Sequence, residues 1–516
     1  STPPWRPSPT RSGPARRRLL REAGIETYPR RFEYDLEPSV VHERHGEASA
    51  EELETAAVRL RVPGRVRALR SHGKTTFLDL HDGRAKLQVM VRLRDLDEDG
   101  TTILENLDLG DYLGAEGTLM RTRTGELTLL AERLALLSKS LRPWPEKWHG
   151  LAEKELRYRQ RYVDLAVNEE SRRVFELRAR VVDGLRRFLV ERDFLEVETP
   201  MLQPLAGGAA ARPFATHHNA LDMELFLRIA PELYLKRLVV GGLHRVFEIN
   251  RNFRNEGISV RHNPEFTMLE FYWAYADFRD LMDLAEEMVH GVATDATGSD
   301  EVTWDGTTLS LARPWKRYSM RQALVELGGC DAAALESVEA LRAEHERRGL
   351  EIGDELAKLC EGDQAEVRGY GYLLMNLFEE LVENHLAEPT FIYEFPLAVS
   401  PLSKGTPDDE RFVERFELFM GGMELANAFS ELNDPDVQAE RFEAQLAARD
   451  AGDAEAHRFD ADYIRALEFG LPPTGGFGLG IDRLVMLLSG SSSIRDVILF
   501  PLLRPTADAA DPDADV

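Results

Sequence analysis

Hydrophobic and polar residues alternate with a period of two from about residue 56 to residue 137. Turn-forming residues interrupt this alternation at Ser71-His72-Gly73, at Asp82-Gly83 and at Thr124-Gly125. Period-two alternation indicates half-buried strands, and several short strands separated by such turns are typical of an all-β domain. The length of the segment fits a five-stranded barrel of the OB type.

The polar face of this predicted barrel carries an aromatic residue. Leu78 and Leu80 fall on the apolar face of their strand and Phe77 on the polar face. In the next strand, Val89 falls on the apolar face and Gln88 on the polar face. An aromatic ring on the exposed face of an OB barrel can stack on unpaired bases, and the Gln88 amide can contact a base edge. A position at a barrel edge or between domains explains Phe77 equally well.

After residue 150 the spacing of apolar residues changes from two to three and four. A long amphipathic helix is predicted from Val174, Leu177, Val181, Leu185 and Phe188. Its apolar face is either core or a dimer interface. A strand over Phe194–Glu198 should follow and stop at Pro200, residues 225–275 should alternate strand and helix, and residues 332–390 should be mostly helical.

These patterns divide the 516 residues into five segments. We predict a basic arm and helix over 1–55, a β-barrel domain over 56–140, a linker over 141–152, a larger α+β domain over 153–505 and an unstructured acidic tail over 506–516. No apolar run reaches the length of a membrane span, and no signal peptide is recognisable. With Cys330 and Cys360 as its only cysteines, the chain is expected to be cytoplasmic.

The net charge of −26 argues by itself against a nucleic-acid partner. Residues 1–31, however, carry eight arginines against two glutamates, so the charge is uneven. A basic arm on an acidic body can contact a polyanion locally. A solvated arm without a partner explains the same residues.

One short stretch combines residue types that bind nucleotides. Arg251–Glu256 and His262–Phe266 supply arginines, an acidic residue, a histidine and an aromatic within a few positions of one another. A guanidinium can bind phosphate oxygens in a bidentate manner, and an aromatic ring can stack on a purine. A strand, a loop and a returning strand would bring these side chains to one surface. No phosphate-binding P-loop motif occurs in the sequence.

Three segments in order resemble the signature motifs of class II aminoacyl-tRNA synthetases: the long helix and strand ending at Pro200, Phe253–Phe266, and Gly478–Arg483 before an apolar helix. Arg228–Arg237, Arg251–Met268 and Phe429–Asp434 are similar to the bacterial-type lysyl-tRNA synthetases, over about residues 15–505. The resemblance implies an OB barrel followed by an antiparallel sheet flanked by helices, with motif one forming a homodimer interface.

The resemblance also implies an ATP site. It assigns ATP contacts to Arg254 at the α-phosphate, Arg483 at the far phosphates, Phe266 and Glu256 at adenine, His262 at the phosphate tail, and Asn263 and Glu417. Arg254 and Arg483 would be catalytic, and Glu417 and Glu424 would hold Mg²⁺ with ATP. An ion pair with Asp482 for Arg483, a core position for Phe266 and solvated carboxylates for the two glutamates are the alternatives.

The same resemblance implies lysine and tRNA sites. Lysine would contact Glu232 and Glu431 through its ε-ammonium, with the Tyr272 hydroxyl as a further acceptor. Glu270 and Asn427 would hold its backbone end, Glu270 through the α-ammonium, and Phe429 would also bind lysine. Glu232 alone would more often be a charge at a helix N-terminus. The anticodon positions would be Phe77, Gln88 and Glu126. Met423 and Ala428 depart from the arginine and glycine that many bacterial members carry there.

The expected function is ATP-dependent activation of L-lysine and its transfer to the 3′ end of the lysine tRNA. The expected partners are the lysine tRNA, ATP, L-lysine and a second copy of the chain, without a membrane. A related enzyme that lysylates a protein is the first alternative, but such relatives lack the N-terminal barrel. A non-enzymatic tRNA-binding protein is the second, and the presence of motifs two and three disfavours it.

Overall fold

The structure is a computed structural model that describes residues 12–142, 144, 153–209, 211–362, 365–450 and 459–505. Most of the predicted linker 141–152, the first eleven residues of the predicted arm and the predicted tail 506–516 lie outside the described residues. The chain divides into two compact units, one of residues 1–169 with 504–516 and one of residues 170–503.

The first unit is built around a β-barrel. Its strands are β1 (Arg59–His72), β2 (Thr75–His81), β3 (Lys86–Arg92), β4 (Tyr112–Arg121) and β5 (Leu127–Ser138). Its helices are α1 (Ser12–Glu22), α2 (Pro38–His45), α3 (Ala50–Ala56), α4 (Glu98–Glu105), α5 (Lys154–Arg159) and α6 (Arg161–Val167). The strands close in the order β1-β2-β3-β5-β4, with β3 parallel to β5, which confirms the predicted five-stranded barrel.

The three predicted turns lie where strands end. Gly73, Gly83 and Gly125 all have positive φ, the conformation that glycine adopts without steric cost. The core face is confirmed, because Leu78 and Val89 are fully buried in the barrel core. On the face predicted to be exposed, Phe77 and Gln88 are half-buried and Asp79 is buried. Residues before position 56 join this core as well.

The helices α2 and α3 were not predicted. Leu20, Val41 and Leu53, one from each of α1 to α3, pack into the barrel core. The α3 helix begins with a capping box in which Ser49 and Glu52 bond each other's backbone N–H groups, a signal readable in the sequence. In α1, Arg16 forms an ion pair with Asp108 at 2.9 Å, so part of the basic segment packs on the barrel unit itself.

The second unit contains a large sheet flanked by helices. Its strands are β6 (Leu195–Glu196), β7 (Leu202–Gln203), β8 (Ala215–His218), β9 (Met223–Leu227), β10 (Arg245–Phe253), β11 (Glu265–Ala274), β12 (Glu301–Trp304), β13 (Thr307–Ser310), β14 (Lys316–Ser319), β15 (Thr390–Pro396), β16 (Phe412–Met420), β17 (Met423–Ser430) and β18 (Thr474–Gly480). Its helices are α7 (Glu169–Val190), α8 (Glu232–Val240), α9 (Phe278–Thr297), α10 (Met320–Glu326), α11 (Val338–Arg348), α12 (Asp354–Leu359), α13 (Tyr370–Leu381), α14 (Pro435–Asp450), α15 (Ala461–Glu468), α16 (Ile481–Ser489) and α17 (Ile494–Val497).

The main sheet has the order β14-β15-β16-β17-β18-β11-β10-β6, and its central pairings are antiparallel. This arrangement confirms the α+β prediction. The apolar face of α7 lies in the core of this unit, where Leu177, Val181 and Leu185 are buried. Leu189 is fully buried, whereas the predicted Phe188 is only partly buried.

The predicted strand Phe194–Glu198 is shorter than expected. The strand β6 has two residues, and it pairs with the sheet only at Val246 and Phe247 of β10. Phe194 instead packs its ring against Phe271, at a centroid distance of 5.3 Å. None of the helices in the described part of the chain combines the length and apolar character that a membrane span requires.

Candidate active site

Two adjoining cavities lie in the second unit. The larger has a volume of about 520 Å³ and the smaller about 170 Å³. Their shared lining residues are Arg254, Met268, Glu424, Asn427 and Gly478. The strands β11, β17 and β18 contribute most of this shared wall because they are neighbours in the sheet.

The strand-loop-strand prediction around Arg254 is confirmed. The strands β10 and β11 are antiparallel neighbours, with Arg245 opposite Trp273 at one end and Phe253 opposite Glu265 at the other. The loop between them begins at Arg254. The Arg254 guanidinium lies 5.1 Å from the centroid of the Phe266 ring. Its buried Nε has no hydrogen-bond partner among the described residues, so this nitrogen still has a hydrogen bond to donate.

Arg483 lies in the first turn of α16 and faces the smaller cavity. It donates to the Glu424 backbone oxygen at 2.7 Å and contacts the Glu424 carboxylate at 3.3 Å. The alternative of an ion pair with Asp482 is not observed, because Asp482 contacts Arg178 at 2.6 Å instead. Arg254, His262 and Arg483 together are called the arginine end of the site.

His262 accepts a hydrogen bond from Arg483 on its Nε2 at 3.2 Å. Burial lowers the pKa of His262, and the neighbouring arginine lowers it further. Its Nδ1 lies 2.9 Å from the hydroxyl of Ser259. A neutral imidazole with one nitrogen accepting is therefore the state that fits these contacts.

The other predicted nucleotide residues line the smaller cavity in different environments. Phe266 is half-buried, so it is not a core aromatic, and Glu256 is exposed. Asn263 is buried, and its side-chain amide donates to the Glu265 backbone oxygen at 2.6 Å. The Asn263 side-chain oxygen has no hydrogen-bond partner among the described residues.

The predicted hairpin between Glu417 and Glu424 is present. Gly421 and Gly422 form its turn with φ of +61° and +66°, values that suit a two-residue β-hairpin. Both carboxylates line the larger cavity. Arg415, on the same strand face as Glu417, donates to that carboxylate at 2.5 Å.

The electrostatics of this pair fit a divalent cation. Burial raises the pKa of Glu417 against the opposing effect of Arg415, and the Glu424 charge raises it further. The described residues contain no cluster of three or more His, Cys, Asp or Glu that would hold a metal alone. Two carboxylates completed by phosphate oxygens and water are the usual protein contribution to a Mg²⁺ site, so the donor set fits.

The opposite part of the larger cavity is acidic. Glu232, the first residue of α8, is both a helix N-terminal charge and a buried lining residue. Burial raises the pKa of Glu270 to about 8, and the Glu232 carboxylate contributes to the rise. The Tyr272 hydroxyl lies 3.4 Å from the Glu270 carboxylate. Glu232, Glu270 and Tyr272 are called the acidic end of the site.

Asn427 and Phe429, the other two predicted lysine contacts on the cavity wall, come from β17. Glu431 differs from them. It is 1% exposed and is not among the residues that line the cavity. Its carboxylate forms an ion pair with Lys236, a buried residue of α8 that the sequence reasoning missed. Lys236 also contacts Glu232 at 2.6 Å.

Glycine at position 476 brings Glu431 next to the cavity. A Cβ atom there would lie 1.9 Å from a Glu431 carboxylate oxygen and 2.6 Å from the Tyr272 ring. Gly476 itself lines the cavity and lacks the side chain that would otherwise meet the Glu431 carboxylate. A side chain at this position would close the acidic end.

Two signals in the sequence could have identified the missed residues. Lys236 follows Glu232 by four positions, which places both on one face of a helix. Arg415 precedes Glu417 by two positions, which places both on one face of a strand. The departures Met423 and Ala428 are both core residues, and neither lines the larger cavity.

The predicted anticodon residues lie together on the barrel. Phe77 is half-buried beside His72, with ring centroids 6.3 Å apart. Gln88 faces Asp79, two residues along the strand from Phe77, and donates to the Thr128 hydroxyl at 2.9 Å. Glu126 precedes β5, and its carboxylate lies 3.6 Å from the Lys86 ammonium.

Comparisons with known proteins agree with this arrangement. Residues 153–504 match the family described as class II tRNA synthetases (D, K and N), and residues 60–137 match the OB-fold nucleic acid binding domain. The lysine–tRNA ligase of Pelotomaculum thermopropionicum is 51% identical over 94% of this chain and 93% of its own length. This chain belongs to the lysine–tRNA ligases of class II.

Further relatives span a similar share of the chain. The lysine–tRNA ligase of Carboxydothermus hydrogenoformans is 51% identical over 94% of this chain and 96% of its own length. That of Magnetococcus marinus is 52% identical over 94% and 95%. Lysine–tRNA ligases of class II use ATP with Mg²⁺, and the cavity provides carboxylates and guanidinium groups of the kinds that this chemistry requires.

Proposed function

We propose that this protein activates L-lysine with ATP and transfers the lysyl group to the 3′ end of the lysine tRNA. The observation that carries the proposal is the polarity of the joined cavities, with buried carboxylates at one end and guanidinium groups at the other. A cationic amino acid fits the first end and a polyphosphate the second, because each is paired with the opposite charge.

At the acidic end, Glu232, Glu270 and Tyr272 would receive the amino groups of lysine. A buried ammonium is stable only when it is paired, which favours lysine over amino acids with neutral or acidic side chains. Glu431 would reach the ε-ammonium past Gly476, where no side chain intervenes. Asn427 and Phe429 would line the path of the chain atoms toward Arg254.

At the arginine end, Phe266 would stack on adenine, Glu256 would accept from its amino group, and His262 and Asn263 would contact ATP. Arg254 would bind the α-phosphate, because its guanidinium stands between the two cavities with an unpartnered Nε. Arg483 would bind the far phosphates beside His262.

The first step needs no general base, since the lysine carboxylate is already an anion. A carboxylate oxygen attacks the α-phosphorus in line, the bond to the β-phosphate oxygen breaks, and pyrophosphate leaves. Arg254 and Arg483 neutralise charge that builds up on the phosphates. Glu417 and Glu424 would hold Mg²⁺, which supplies further charge neutralisation when bound.

In the second step, a hydroxyl of the terminal tRNA ribose attacks the carbonyl carbon of the lysyl-adenylate, and AMP leaves. The barrel would bind the anticodon through Phe77, Gln88 and Glu126. The presence of this barrel favours tRNA over a protein acceptor. We further propose a cytoplasmic homodimer, with the exposed Val190 and Leu195 after the apolar face of α7 at the interface.

The test is ATP–pyrophosphate exchange measured with each of the twenty amino acids. Lysine alone should support rapid exchange, and charging should require the lysine tRNA. Equal exchange with an acidic or neutral amino acid would contradict the proposal.

A further inference from the structure

Two lysines in the described part of the chain are buried between pairs of carboxylates, and they differ in how well they are bonded. In the barrel unit, Lys139 donates to Asp108 and Asp111 at 2.7 Å each and to a backbone oxygen at 3.0 Å. In the second unit, Lys236 contacts Glu232 and Glu431 as ion pairs, yet its Nζ and both Glu431 oxygens lack an aligned hydrogen bond.

The position of Lys236 is fixed by its surroundings. It is 0% exposed, one helical turn after Glu232, and its ammonium lies 5.7 Å from the ring centroids of both Phe429 and Tyr463. It does not line the cavity. Lys236 is therefore a permanent cation behind the acidic end and not a group that contacts a ligand in the cavity.

The charges around this cation do not balance. When all three are ionised, Glu232, Glu270 and Glu431 carry three negative charges, and Lys236 supplies one positive charge, so two more positive charges are needed. The neighbouring Arg228 and Arg415 do not supply them, because they are paired with Glu248 and Glu417. Burial raises the pKa of Glu431, and the nearby Glu232 raises it too, whereas the Lys236 ammonium opposes the rise. Lysine brings two ammonium groups to this region, which is the number needed to complete the balance.

We propose that Lys236 is a positioning residue that acts as an internal counter-ion: it cancels one of three buried carboxylates, so that the acidic end matches the two ammonium groups of lysine. This inference rests on the proposed function and adds a residue that determines specificity without touching the substrate. An amino acid with a neutral side chain would leave one buried carboxylate unpaired, which is costly in a dry site.

The groups that face this cluster come from several elements. They are Arg228 before α8, Glu232 from α8, Glu248 from β10, Arg254 after β10, Glu270 and Tyr272 from β11, Arg415 from β16, Glu431 after β17, and Tyr463 from α15. Without the Lys236 charge, the carboxylates among them would ionise only at higher pH, because each disfavours the charge of the others.

The decisive test compares Glu431→Gln with a double variant that also lacks the Lys236 charge. Glu431→Gln leaves the acidic end one negative charge short, and we expect the KM for lysine in pyrophosphate exchange to rise about 100-fold. Adding Lys236→Met to Glu431→Gln restores the balance without burying an unpaired carboxylate. We therefore expect the KM for lysine of the double variant to be at least about tenfold lower than that of Glu431→Gln. Lys236→Gln in the same background is a second replacement with the same expectation.

Lys139→Met in the Glu431→Gln background is the matched control, since it removes a buried, doubly paired lysine in the other unit. It should give no recovery. A double variant with Lys236→Met that binds lysine no better than Glu431→Gln overturns the inference. For Lys236→Met alone, we expect the low-pH limb of kcat/KM for lysine to move up by about one pH unit.

An unmoved limb also contradicts the role of Lys236. These failures are distinguishable from failure of the proposed function. In the latter case, the unmodified protein itself would show no lysine-dependent pyrophosphate exchange.

Discussion

The two units of this protein place their candidate binding residues in opposite environments. On the barrel, Phe77, Gln88 and Glu126 are all half-buried, and Gln88 bonds only another polar side chain in the described contacts. In the cavities of the second unit, Glu232 and Glu270 are buried, and the Arg254 Nε has no access to water.

The two kinds of recognition require different environments. An exposed face can contact a polymer through several modest interactions, each of which remains solvated when the partner is absent. A site that handles a small charged substrate must exclude water, so its charges interact strongly and each one is costly to leave unpaired. Substitutions in the cavity should therefore have larger effects than substitutions on the barrel.

The largest effect is expected for Arg254→Ala. Because this guanidinium would neutralise the charge that develops on the α-phosphate, lysine-dependent pyrophosphate exchange should fall by about 10³-fold or more. Arg251→Ala is the matched control, since Arg251 lies three residues earlier, in β10, and its guanidinium contacts Glu265 at 3.6 Å without lining either cavity. Circular dichroism should show both variants folded. Exchange retained by Arg254→Ala would remove this residue from the mechanism.

The second effect separates the two ends of the site. Glu431→Gln should raise the KM for lysine by about 100-fold and leave the KM for ATP nearly unchanged, because the lost charge lies at the acidic end. Steady-state exchange with each substrate varied in turn measures both constants. A parallel rise in the KM for ATP would mean that the two ends are not independent.

The third effect is a pH dependence of lysine use. The pKa of Glu270 is about 8, so the free protein holds this carboxyl neutral below that pH and charged above it. An ammonium binds the charged form, so kcat/KM for lysine should fall about tenfold for each pH unit below 8 and level off above it. Glu270→Gln should lose this limb together with much of its activity. A pH-independent kcat/KM between 6 and 8 would disprove the assignment.

The smallest effect is expected on the barrel. Phe77→Ala should raise the KM for the lysine tRNA about five- to tenfold, because it removes one stacking platform, and adenylate formation should stay nearly normal. Tyr34→Ala is the control, as an exposed aromatic of the same unit outside the barrel strands. Charging unaffected by Phe77→Ala would show that this face does not bind the anticodon.

Much of the fold was predictable because local patterns agreed with tertiary structure. The alternation in β2 and β3, the glycine turns and the strand-loop-strand around Arg254 all follow from period-two patterns and turn residues. The length of β6 was predicted wrongly, as five residues where the strand has two. Residues that favour strands do not reveal how few pairing partners an edge strand has.

The family motifs led to most of the side chains that the structure brings together in the cavities, whose roles stay predictions, but they did not lead to the buried cations beside the glutamates. Lys236 and Arg415 were not predicted as part of the site, because a lysine or arginine near a glutamate in sequence usually forms an ion pair on the surface. Only the three-dimensional structure shows that both are turned inward, one against Glu431 and one against Glu417. The spacing was visible in the sequence, but the burial was not.

The most direct test of the central claim is a crystal structure with L-lysine and a non-hydrolysable ATP analogue bound. We expect the ε-ammonium of lysine between Tyr272 and the Glu431 carboxylate, the triphosphate on Arg254 and Arg483, and Lys236 unmoved behind the acidic end. Lysine amines that point to solvent, or a Lys236 ammonium displaced from Glu431, would contradict it.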